Sequence, residues 1–303
     1  MSEGNGMGAR ITFGEPSVPS PGGLLHRLYQ DYHSFSPLHL DPIECVRDLA
    51  DNRSREVAAW FVSQMAYGSA RQIYKVAHEL LSARGRHSFY DFILSGAFEG
   101  KWSSIAYRFH LGCDFEVMGF WVKRILETSG SLESFFLRFQ TPQALTAENK
   151  TPHALNLQRG LSRMIQSLMQ IPLPPSHATW FYRREKAIRY LLPDPNRGSA
   201  CKRLLLFLRW VTRKDDGIDL GLWKAIHPRH LLVPVDTHIL RAAQRLSFTQ
   251  KKTATWETAR EITEALAKVD PEDPVRFDFA LCHWGMEQHL IGKKQTRSPY
   301  EQA

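Results

Sequence analysis

Apolar residues recur along this chain with a helical period from Leu24 almost to its end, and strand-like alternation is nowhere sustained. Helices are predicted over 23–31, from Pro42 to about Ala50 behind an Asp41-Pro42 N-cap and N1 pair, and over 55–67. In the last of these Val57, Phe61 and Met65 share a face. Further helices are predicted over 70–83, 88–95, 115–128, 131–139 and 155–170, with a loop over about 141–151. Pro172, Pro174 and Pro175 then break the chain and read as a linker between two lobes, roughly 23–171 and 176–290. Beyond it the pattern gives 180–192, 200–212, a short helix near 220–226, then 237–245, 255–268 and 274–289. Residues 1–22, rich in Gly, Ser and Pro, read as a disordered arm, and 291–303 as a tail. With no βαβ alternation and no internal repeat, the expected fold is all-α, two lobes with a cleft between them.

Composition adds little to this except through charge. At 303 residues, 43% hydrophobic and 23% charged, the chain has the make-up of a globular protein able to bury a sizeable core. Cys45, Cys113, Cys201 and Cys282 are too scattered for a disulfide framework, a zinc site or an iron–sulfur site, so no cofactor is expected. No apolar run approaches the ~20 residues that span a bilayer, and the N-terminus lacks the layout of a signal peptide. The expectation is a cytoplasmic protein with no membrane partner. The net charge of +8 is concentrated: between Arg183 and Arg241, 13 Lys/Arg stand against six Asp/Glu, a net of +7. That points to a polyanionic partner.

Two motifs lie inside the basic stretch. Gly198-Ser199-Ala200-Cys201-Lys202-Arg203 puts a small-residue turn at the start of an apolar helix, with Lys202 one turn inside it. Pro234-Val235-Asp236-Thr237-His238 puts a carboxylate 34 residues further on, at the start of another helix. Unsatisfied N–H groups at a helix start, with the positive end of the macrodipole behind them, form a phosphate site. Arg197, Gly198, Ser199, Ala200, Arg203 and His238 are the candidate contacts to a nucleic-acid backbone. Alone, Lys202 reads equally as a solvated lysine and Asp236 as a helix N-cap. His227, His230 and His238 do not make a metal site, because Pro228 and a loop separate them and no carboxylate pattern supports them.

Together these segments resemble the hairpin region of the helix–hairpin–helix DNA glycosylases, the endonuclease III and 8-oxoguanine glycosylase superfamily. There a Leu-Pro-Gly-x-Gly-x-Lys segment precedes a Val-Asp-Thr/Val-His segment. The likeness covers about 191–246, with an echo in 57–68; over most of 24–290 the chain is still more similar to an uncharacterised bacterial family sharing the GSACKR and PVDTH segments. The usual Pro-Gly-x-Gly turn is replaced by Pro193-Asp194-Pro195-Asn196-Arg197-Gly198, and the cysteine tail of endonuclease III is missing.

The resemblance implies a monomeric base-excision enzyme acting on double-stranded DNA that carries a damaged base. The neutral amine of Lys202 would attack the sugar of a flipped nucleotide, and the resulting Schiff base would allow strand cleavage. Burial, the helix N-terminus and Arg203 would favour the neutral amine, and Asp236 would stabilise the sugar cation. Gln64 would fill the gap left by the base, and Asp278 and Trp284 would line the base pocket. The long interval between the motifs, as in the archaeal 8-oxoguanine glycosylases, favours 8-oxoguanine as the lesion. The alternative is a DNA-binding protein that kept the fold and lost the reaction.

Overall fold

The structure, a computed structural model, describes residues 21–34, 41–141 and 154–296. The described residues are mostly helical: α1 (Pro21–Ser34), α2 (Pro42–Arg47), α3 (Asn52–Gln64), α4 (Ala70–Ser82), α5 (Phe89–Ser95), α6 (Gly112–Ser129), α7 (Leu132–Leu137), α8 (Ala154–Met169), α9 (Pro175–Leu191), α10 (Lys202–Thr212), α11 (Thr237–Arg245), α12 (Trp256–Ala267) and α13 (Asp278–Thr296). Most of the arm expected over 1–22, the loop over 141–151 and the end of the tail lie outside the described residues.

Many of the helix starts are set locally. Asp41, Asp51, Ser69, Ser88, Ser131, Asp236 and Thr255 each accept a backbone N–H from the first turn of the helix that follows. What places the helices is burial. α3 and α10 are buried nearly all round, polar side chains included, and they pack on each other at the centre, with the Trp60 ring edge-on to Phe207 at 5.1 Å. α1 packs on α13, and α11 lies against α13. One buried apolar cluster therefore takes residues from Leu25 to Leu281. α1, from the stretch expected as the first lobe, packs on α13, from the stretch expected as the second.

Two local expectations are corrected. Residues 220–226 form no helix. Their backbone donors are taken elsewhere: Leu220 and Trp223 donate to the terminal carbonyls of Trp210 and Val211, and Lys224 and Ala225 donate to the Glu133 carboxylate. A two-stranded hairpin, β1 (Ala106–Tyr107) and β2 (His110–Leu111), interrupts the helices. With two residues per strand it is too short to leave a period in the sequence.

The last turn of α10 carries a buried ionic lattice. Asp219, fully buried, accepts from Arg209 Nε at 3.0 Å and also from Arg213, which reaches Asp216 and Asp273 as well. Arg203, Arg209 and Arg213 are all buried, so part of the basic excess between Arg183 and Arg241 is internal and not available to a polyanion. No helix among the described residues is long and apolar enough to cross a membrane.

Candidate active site

The turn between α9 and α10 delivers Lys202. A short 3-10 turn over Pro195–Arg197 is capped by Asp194, and Gly198 follows at φ +80° with open space where a Cβ would stand. Ser199 bridges to Thr255, and Cys201 takes a left-handed φ of +48° that turns the chain into α10. Lys202 is thus the first residue of the helix and not one turn inside it. On the other side, the buried extended segment Leu231–Val235 is pinned where Val233 donates to Thr263, and it ends at Asp236, the N-cap of α11.

These two helix starts meet. Lys202 Nζ lies 3.0 Å from Asp236 Oδ2, while Asp236 Oδ1 accepts from the N–H groups of His238 (2.8 Å) and Ile239 (2.9 Å). Both residues line a cavity of about 420 Å³ whose walls include Asp278, Phe279, Cys282 and Met286 from α13, Arg209 from α10, and Asp41. The Cys282 Sγ is 4.0 Å from Asp236 Oδ2.

The electrostatics reverse one expectation. Burial by itself depresses the Lys202 pKa, but the Asp236 carboxylate, with Cys282 and Asp278 beyond it, carries it above the ordinary lysine value. Burial in turn works against the Asp236 carboxylate, yet Lys202 and the Ile239 N–H hold it below the usual range. At rest the amine expected to be neutral is an ammonium paired with a carboxylate. Asp278 is pushed up to about 6 by burial, with Arg209 opposing the shift and Asp236 adding to it. Burial, Asp236 and Asp278 raise the Cys282 thiol well above its ordinary value, so it rests as a thiol and not a thiolate.

The other candidates divide. Arg197 and Gly198 are exposed on the turn, and Ser199 and Ala200 line a second recess that reaches Lys202 from the α9 side. His238 stands half-buried in the cavity wall, and its Nδ1 is buried without a partner. Three expectations are corrected. Arg203 is buried, donating to the carbonyls of Gln64 and Tyr190 with its guanidinium 4.3 Å over the Tyr190 ring. Adjacent residues on a helix point about 100° apart, so with Lys202 on the cavity Arg203 turns into the core. Gln64 has no exposed surface, and its Nε2 donates to Ser63, so it cannot reach into a duplex. Trp284 packs partly buried against the core and is not in the cavity wall; Phe279, one helical turn and a residue earlier, supplies the aromatic face there. Asp41, Arg209, Phe279, Cys282 and Met286 were not anticipated. Asp41 carried a signal, but only that of an N-cap.

Among the described residues, no group of three or more His, Cys, Asp or Glu is placed to hold a metal ion. The fold and site together define a mostly helical protein with a lysine–carboxylate pair in the wall of a cavity. The chain belongs to the family described as Protein of unknown function (DUF2400), whose model matches residues 41–287. No curated protein and no solved structure matches it.

Proposed function

We propose that this protein is a DNA base-excision glycosylase with lyase activity, acting on a nucleotide extruded into the cavity beside Lys202. The reading rests above all on the 3.0 Å Lys202–Asp236 contact in a cavity wall, joined from two helix starts that the glycosylase-like motifs occupy. α9, the turn ahead of Lys202 and α10 stand for the helix–hairpin–helix element, and the cavity for the base site.

The pair is ionised at rest, so the nucleophile forms when Nζ passes a proton to Oδ2 along the existing hydrogen bond. The free amine attacks C1′, the C1′–N bond breaks, and the base leaves with the electron pair and takes up the proton from Asp236. The restored carboxylate moves a proton from Nζ to O4′ as the sugar ring opens to an imine. Loss of the C2′ proton then expels the 3′ phosphate. Phe279 supplies a stacking face for the base, and Asp278 an acceptor toward its edge.

Borohydride trapping tests this on duplex oligonucleotides carrying 8-oxoguanine, an oxidised pyrimidine, uracil or an abasic site. An adduct on one lesion that disappears with Lys202→Gln identifies the nucleophile and the lesion class together. 8-Oxoguanine is the first lesion to try, given the long interval between the two motifs. Adducts on abasic DNA alone would reduce the activity to a lyase. Absence of any adduct, with binding that weakens by roughly 0.9 in log K per log salt for each phosphate contacted, would leave a monofunctional glycosylase or the non-catalytic DNA-binding protein.

A further inference from the structure

Few large apolar side chains are exposed among the described residues, and several of them gather beside the cavity. Phe109 is 48% exposed and Leu111 41%, both on the β1–β2 hairpin, and Tyr190, 44% exposed, packs edge-on against Phe109 at 4.9 Å. The hairpin turn is Arg108-Phe109, closed by the Tyr107–His110 pair, with Arg108 at φ +56°. A left-handed φ in a two-residue turn favours Gly, Asn or Asp, so an arginine here departs from the local preference.

The base of this hairpin is fixed. His110 is fully buried, its Nε2 2.8 Å from the Ala187 carbonyl and its Nδ1 paired with the Tyr67 hydroxyl. Arg184 holds Asp114 through two contacts of 2.8 and 2.7 Å and donates to the Phe109 carbonyl at 2.6 Å. Asp114 in turn accepts the Leu111 N–H. Two exposed side chains therefore stand on a base held by polar contacts to the buried His110 and Asp114.

The tip also adjoins the candidate site. Gly68 lines the cavity that holds Lys202, and a Cβ on it would meet the Tyr107 hydroxyl at 3.0 Å and the Arg108 guanidinium at 3.2 Å. On the other side, Tyr67 and Tyr190, both in ring contact with Phe109, line the second recess that reaches Lys202. Lys75 and Arg108 are exposed in the groove at the tip, against one carboxylate, Glu79, and Arg71 is exposed on the wall of the Lys202 cavity. An aromatic ring on a fixed tip, rimmed by cations and next to a cavity of about 420 Å³, fits a polyanion with stacked planar groups.

We propose that the Arg108–Phe109 tip is a wedge for duplex DNA. Phe109 enters the stack where the target nucleotide has left it, and Arg108 engages the facing strand. The inference rests on the reading of Lys202 as acting on an extruded nucleotide. It gives this tip the gap-filling task that the buried Gln64 cannot perform. Apolar wedges between base steps are a general way of holding a duplex open, and stacking a base on an aromatic ring is worth about tenfold or more in affinity.

The test compares wild type, Phe109→Ala and Phe109→Trp in borohydride trapping on an abasic site placed in a duplex or in a single strand. 2-Aminopurine beside a stable abasic analogue reports stacking in parallel. Phe109→Ala should lower duplex trapping about tenfold more than single-strand trapping and abolish the 2-aminopurine response, with an unchanged melting midpoint. Phe109→Trp should restore both. Equal loss on the two substrates, or no loss, with a wild type that does trap, overturns the wedge and leaves the Lys202 reading standing. A wild type that traps neither substrate and leaves 2-aminopurine unchanged overturns both.

Discussion

Asp236 uses its two oxygens differently, and substitution separates them. Oδ1 caps α11 through His238 and Ile239, and Oδ2 faces Lys202. Asp236→Asn keeps a capping oxygen and removes the charge; Asp236→Ala removes both. Loss of an N-cap to alanine costs about 1 kcal/mol. The ion pair adds at most about 1 kcal/mol, because the Lys202 side chain is 33% exposed and solvent screens it. Alanine should therefore lose about 1–2 kcal/mol and asparagine less than about 1, small beside the 5–15 kcal/mol (roughly) of a typical domain. Adduct formation behaves otherwise: losing the proton acceptor should lower its rate by about 10²–10⁴ in both variants. The pH dependence follows from the directions of the shifts. Asp236, lowered, contributes stability above its unfolded pKa of about 3.9 and loses it as pH falls through the folded value. Lys202, raised, contributes below about 10.4 and loses it as pH rises through the folded value. Asp278 titrates near 6 and Asp236 adds to its shift, so the stability difference between variant and wild type is flat only between about pH 7 and 9. A change of trapping within that window is then chemistry and not folding. Urea denaturation paired with adduct yield at pH 7 decides the matter. An asparagine variant that traps within about threefold of wild type, while alanine is merely less stable, would show Asp236 to be a cap and nothing more.

Two further expectations concern α13. Asp278 has a folded pKa of about 6 against 3.8, so its contribution is full below the lower value and is lost as pH rises through the higher. That two-unit shift is on the order of 3 kcal/mol, and Asp278→Asn should gain by that order relative to wild type between pH 4 and 7, superposed on a constant loss of the Arg209 contact. Parallel stability profiles in denaturation across that range would refute it. At Gly285 an added Cβ would stand 2.6 Å from the His238 carbonyl, a backbone atom that cannot swing aside. Gly285→Ala should cost about 1–3 kcal/mol by pushing α13 off α11, and should lower adduct yield because Asp236 moves with α11. A wild-type melting midpoint would show that the two helices yield freely.

Helix periodicity and capping act over three or four residues, so the sequence by itself determined most of the helices. Thr237–Arg245 was legible to the residue because Asp236 marks its start, and Asp41-Pro42 opened α2 in the same way. Where contacts distant in sequence supply the backbone's partners, local pattern misleads: 220–226 has helical spacing but donates to Trp210, Val211 and Glu133. The site divides along the same line. Lys202 and Asp236 stood out as residue types in motifs, but an interval of 34 residues carries no distance. Tertiary structure alone set the 3.0 Å contact, made the amine an ammonium, turned Arg203 and Gln64 inward, and brought Asp41, Arg209 and Phe279 to one cavity. Burial and charge proximity depend on which side chains meet across the core, and that is a property of packing, which no local stretch of sequence contains.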